Sequence, residues 1–147
     1  VTPREQQLLN VIAQDLQQDC ADYQRLLGLM QALHQQLLER NSQQIDVLNE
    51  QINPLLDQSR QRAERRSKVL SAFRFGAGQD AMLRLLNRYP QPQRQQHHQQ
   101  WLQLAELAGQ CKRQNERNGK LLAMQNEFLE QLLSEPGSAQ LYSPTYY

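Results

Sequence analysis

Residues 9–37 read LNVIAQDLQQDCADYQRLLGLMQALHQQL, and the spacing inside this stretch decides the fold class. Leu9, Ile12, Leu16, Cys20, Tyr23, Leu27, Met30, Leu33 and Leu37 follow one another at steps of three or four. A helix collects such positions on one face, whereas a half-buried strand needs alternation at every second residue. Just upstream, Thr2, Pro3 and Glu5 supply the cap, the first helical position and the third position of a capping box. The helix predicted from Pro3 to about Arg40 is about 55 Å long at about 1.5 Å per residue. A rod of that length makes the molecule elongated.

Downstream, Asn41 and Ser42 break the pattern and offer a new cap. A second helix follows through Ile45, Leu48, Ile52 and Leu55 or Leu56, and later Val69, Leu70 and Phe73. Pro54 lacks a backbone donor and is expected to kink it near Glu50 to Asn53. From Asp57 to Lys68 the one apolar residue is Ala63, while Arg60, Arg62, Arg65, Arg66 and Lys68 crowd together. That run is expected to be weakly anchored, either projecting past its neighbour or covering it with arginine stems. Gly76 and Gly78 end the helix, and Asp80 opens a short amphipathic one through Met82, Leu83, Leu85, Leu86 and Tyr89. Pro90 and Pro92 precede a third long helix reaching about Ser134, with a seam of Trp101, Leu104, Ala108, Cys111, Asn115, Asn118, Leu122, Gln125, Leu129 and Leu132. The predicted fold is all-α: an elongated antiparallel bundle of three long helices and one short helix over residues 1–134. Residues 135–147 read as a mobile, tyrosine-containing tail.

Composition narrows the function. The 147 residues carry a formal charge of +1, so no global field draws the chain to nucleic acid. No apolar run approaches the roughly 20 residues that cross a bilayer, and the opening residues lack the apolar core of a secretory signal. His97 and His98 are adjacent, so on a helix they diverge by about 100° and do not face one metal. Asp15, Asp19 and Asp22 share a helical face, which reads as solvated. Phosphate loops, nucleophile elbows and Cys-x-x-Cys pairs are missing, so neither catalysis nor a cofactor is expected. Cys20 and Cys111 sit on apolar stripes and read as buried free thiols, with a mutual disulfide as the alternative. The Arg60–Lys68 cluster reads as a solvated face or as a patch for an acidic partner or a phosphate backbone.

Residues 111–122, CKRQNERNGKLL, hold the informative motif. Two asparagines and a glycine inside a helix work against local stability, since Gly costs about 1 kcal/mol relative to Ala. One reading is register-setting by polar seam residues. The other is that Gly119 permits close helix approach or bending while Asn115 and Asn118 bond the backbone of a neighbouring helix. This segment, preceded by the Trp101–Leu104 run, resembles the Asn-x-x-Asn-Gly signature of the FlgN flagellar export chaperones. The tail departs from that family's usual Tyr-Gly run, because Tyr142 and Tyr146 have no following Gly. The resemblance implies a cytoplasmic chaperone that binds the C-terminal helical segments of the hook–filament junction proteins FlgK and FlgL. It would prevent their premature assembly and deliver them to the export gate protein FlhA. The expected cargo site comprises Asn115, Asn118, Gly119, Leu121, Leu122, Phe128, Leu129 and Leu132, with Tyr142 and Tyr146 expected at the gate. The alternative is a structural coiled-coil scaffold dimerising through the third-helix seam.

Overall fold

Capping chemistry sets where the helices begin. In the computed structural model, which describes residues 1–134, Thr2 Oγ1 accepts from the Glu5 amide at 3.1 Å and Glu5 Oε2 accepts from the Thr2 amide at 3.3 Å. This capping box opens α1, Pro3–Glu39. Arg40 ends it in the left-handed region, at φ 55° and ψ 37°. Asn41 Oδ1 then accepts from the Gln44 amide and starts α2, Ser42–Ala72. Pro54 lies inside α2 with its side chain exposed, and the helix runs through it as one element. Arg74, Gly76 and Gly78 all take positive φ and turn the chain into α3, Gln79–Leu86. Gly78 occupies the cap position of α3 without a side-chain bond, and Asp80, the expected cap, falls in the first turn instead. The last helix, α4, spans Gln93–Leu133.

Three side-chain bonds fix how α4 lies on α1. Cys111 Sγ meets the Tyr23 carbonyl at 3.5 Å, Asn118 Nδ2 donates to the Met30 carbonyl at 2.9 Å, and Gln125 Nε2 donates to the Leu37 carbonyl at 2.6 Å. Each pair is separated by 88 residues in sequence. A constant separation means the two helices run parallel and in heptad register. The chain therefore goes up along α1, down along α2, and up again along α4. Both α2 and α4 pack on α1, while the α2 and α4 backbones do not approach one another among the described residues. The bundle has a spine, and it is α1.

Two apolar clusters divide the length of the spine. Near the start of α1, Leu9, Ile12 and Leu16 pack with Val69 and Leu70 of α2, Met82, Leu85 and Leu86 of α3, and Leu104 of α4. Tyr89 closes this end by donating its hydroxyl to the Leu9 carbonyl. Towards the other end, Leu26, Met30, Leu33 and Leu37 meet Ile52 and Leu55 of α2 and Cys111 and Leu122 of α4.

Charges hold the middle of α2 in place, which corrects the expectation of a solvated, weakly anchored run. Arg62 Nε donates to Asp19 at 2.5 Å and its Nη2 to Asp22 at 2.6 Å, with the Arg62 side chain 8% and the Asp19 side chain 2% exposed. Arg65 forms a two-pronged bond to Asp15 at 2.7 and 2.8 Å, and Arg66 donates to Asp19 at 3.1 Å. The three aspartates that read as a solvated face are therefore the anchor of α2. Burial disfavours the Arg62 charge, but bonds to Asp19 and Asp22 outweigh it and push the guanidinium above its ordinary range. Arg60, by contrast, pairs with Asp57 in the open.

Candidate partner-binding surface

The polar seam of α4 is built around Asn118. Its Nδ2 holds the Met30 carbonyl, and its Oδ1 accepts from Gln114 Nε2 at 3.1 Å. His34 Nδ1 lies 2.9 Å from the same oxygen. An amide oxygen only accepts, so His34 carries a proton on Nδ1. Asn118 thus bonds the backbone of a neighbouring helix as the sequence suggested. Asn115 does not share that place: it is exposed, and Gln114 is the buried seam residue. Likewise Leu107 is buried where Ala108 was expected. A side chain added at Gly119 would meet nothing within 4 Å, so no packing inside the described chain requires a glycine there.

The apolar residues expected at the cargo site fall into two groups. Leu122 belongs to the core, where it packs with Cys111 and the end of α1. Leu121 and Leu129 are half-buried, and Phe128 and Leu132 are 47% and 41% exposed. The parallel register places Glu39, the last residue of α1, level with Glu127. From Phe128 onward α4 therefore passes beyond the end of its spine. There the Arg40 guanidinium stands 5.6 Å over the Phe128 ring. Two exposed apolar residues join this end without having been singled out in the sequence: Met124, 66% exposed, and Leu38, 54% exposed. Met124 was legible, because it falls between Leu121 and Phe128 at steps of three and four. Tyr142 and Tyr146 lie outside the described residues.

On the opposite flank of α4, Trp101, Leu104, Ala105 and Ala108 border a small cleft against Asp19, Tyr23, Ser59 and Arg66. Arg66 covers the Trp101 ring at 5.2 Å, and Ser59 Oγ donates to the Tyr23 hydroxyl at 2.7 Å. These two contacts tie α2 to the rest of the bundle across the cleft. Cys20 and Cys111 are free thiols. Burial pushes both above their ordinary range, with Asp19 adding to the effect at Cys20.

The model of the FlgN protein family matches residues 8–145. The chain belongs to the FlgN family. No curated protein and no solved structure matches it. As a FlgN-type flagellar chaperone it is non-catalytic, and its described residues are all-α, with three long helices and one short one. Among the described residues no group of three His, Cys, Asp or Glu side chains is placed to hold a metal ion, and no helix is long and apolar enough to cross a membrane.

Proposed function

We propose that this FlgN-family chaperone binds the C-terminal helical segments of the hook–filament junction proteins FlgK and FlgL. The complex forms in the cytoplasm, blocks premature assembly and passes its cargo to the export gate protein FlhA. The observation that carries this reading is the end of α4, where Met124 is exposed beside the last turn of α1 and Phe128 and Leu132 are exposed past it. Residues that hydrophobic usually find cover. An amphipathic cargo helix offers it, ordering as it docks. The ordering entropy keeps affinity moderate, which suits a cargo that must be released.

The seam argues against the scaffold alternative. Leu104, Cys111, Asn118 and Leu122, four of the seam residues a dimer would share, are buried within the same chain. Within the expected site, Asn118 and Leu122 support the surface from below, while Leu121, Phe128, Leu129 and Leu132 meet cargo. Asn115 and Gly119, both exposed, border the surface where a partner helix has room to approach. The Phe128→Asp, Met124→Asp double variant leaves the core intact and should abolish co-purification with the FlgK C-terminal segment. Undiminished capture would place cargo elsewhere. Tyr142 and Tyr146 are assigned to the gate, so deleting residues 141–147 should impair export while cargo binding persists.

A further inference from the structure

One flank of α4 carries two arginines that are little engaged by other side chains among the described residues. Gln110, Gln114, Arg117, Leu121, Met124 and Phe128 follow one another at steps of three and four, so they share a face of the helix. Along its upstream half this face opens as a trough against Leu27 and Gln31 of α1, lined also by Arg113. The same steps along α1 lead from Leu27 and Gln31 to His34 and the exposed Leu38. The trough is therefore continuous with the apolar end, polar and cationic upstream and hydrophobic downstream.

Its two arginines differ from those of α2. Arg62, Arg65 and Arg66 are engaged by Asp15, Asp19 and Asp22. Arg117 has no hydrogen bond or ion pair among the described residues, and it is exposed. Arg113 reaches Glu106 only at 3.9 Å, with both side chains about two-thirds exposed at 66% and 70%. A pair like that is easily traded for a better one. Glu106 lies a turn upstream of Gln110 and is the carboxylate of α4 that shares this flank, and Leu27, Gln31, His34 and Leu38 add none from α1.

We infer that Arg113 and Arg117 read carboxylates on the cargo helix and so fix the direction in which it lies. This rests on the chaperone reading above and specifies the partner: an amphipathic helix with an acidic turn at one end and apolar anchors at the other. The acidic turn lies over Arg113 and Arg117, and the anchors lie over Leu121, Met124 and Phe128. Arg117 and Phe128 are about 16 Å apart along α4 at about 1.5 Å per residue, so the acidic turn and the far anchor are separated by about three turns. A guanidinium is suited to this because its planar donors engage a carboxylate in two places and specify its orientation.

The test is a double-mutant cycle on the full chain, read by calorimetry with the FlgK C-terminal segment as probe. R113E/R117E should weaken binding at least about tenfold, the scale of two lost charge-assisted bonds. It should also remove most of the salt dependence. A probe with its Asp and Glu residues changed to Asn and Gln should bind the unaltered chaperone equally weakly and lose nothing further on R113E/R117E. K68E/K112E makes the same charge change away from this flank, on α2 and on another face of α4, and should alter affinity less than about twofold. Unchanged affinity in R113E/R117E, additive losses in the cycle, or an equal loss in K68E/K112E would overturn the inference while leaving the apolar site standing. Retained binding in the Phe128→Asp, Met124→Asp variant would instead remove the site itself. All these positions are exposed, and circular dichroism checks that each variant stays helical.

Discussion

Asn118 ties three groups together with one amide: the Met30 carbonyl, the Gln114 side chain and His34. Removing it leaves Gln114 buried without its partner, and buried unsatisfied groups cost more than the mean worth of a hydrogen bond. Asn118→Ala should therefore lose about 1–3 kcal/mol in urea unfolding. A loss no larger than that of exposed Asn115→Ala would show that the seam bonds are unimportant. Tyr89 makes a prediction about pH. Burial raises its phenol above the ordinary value of 10.0. Its proton is therefore held more tightly when folded, so the contribution is complete below about pH 10 and is lost as pH rises beyond it. The unaltered chain should lose more stability than Tyr89→Phe does when both are titrated above that point. Parallel curves would contradict the assignment. The thiols of Cys20 and Cys111 are raised in the same sense, so part of the alkaline loss, shared by both chains, begins nearer pH 9.0.

At the scale of elements, the question is what fixes α2 on the spine where it has almost no apolar stripe. Arg62 and Asp19 are both buried and bonded, so removing one partner strands the other charge. Arg62→Ala should cost about 3–5 kcal/mol. Arg65→Ala should cost no more than about 1 kcal/mol, because its side chain is half exposed and water screens the pair. Equal losses in chemical denaturation would mean that the network is not graded by burial. This pairing was not legible from either helix alone. Asp15, Asp19 and Asp22 repeat at helical steps, and so do Arg62, Arg65 and Arg66, but neither spacing says which helix the other will face. The signal was their complementarity: two runs of opposite sign at the same period. The stripe of α1, the capping box at Thr2 and the Asn41 cap were legible because each depends on residues within a few positions. On α4 the period left a choice between Gln114 and Asn115, both polar, and only the position of α1 resolved it. Leu122 was recognisably apolar, yet its place in the core rather than at the surface depends on α1 and α2.

Taken whole, the molecule has one closed end and one open end. At the closed end α3 and Tyr89 seal the first apolar cluster, and the ion pairs of α2 lie just below it. At the open end the spine stops at Glu39 while α4 continues to Leu133, carrying Phe128 and Leu132 past the last turn of α1. Helical turns with a neighbour on one side only have few buried contacts to hold their amides closed, so local opening there should be far easier than at the sealed end. Amide hydrogen exchange should thus be fast from Phe128 to Leu133 and slow around Leu9 to Leu16 in the free chaperone. Adding the FlgK C-terminal segment should slow exchange at the open end and along the Leu121–Phe128 flank, with little change at α3. Protection that instead appeared at α3, or spread evenly over the bundle, would mean that cargo does not use the open end. A cargo that docks at the open end, as proposed, can be gained and lost there without unfolding the clusters that keep the rod together.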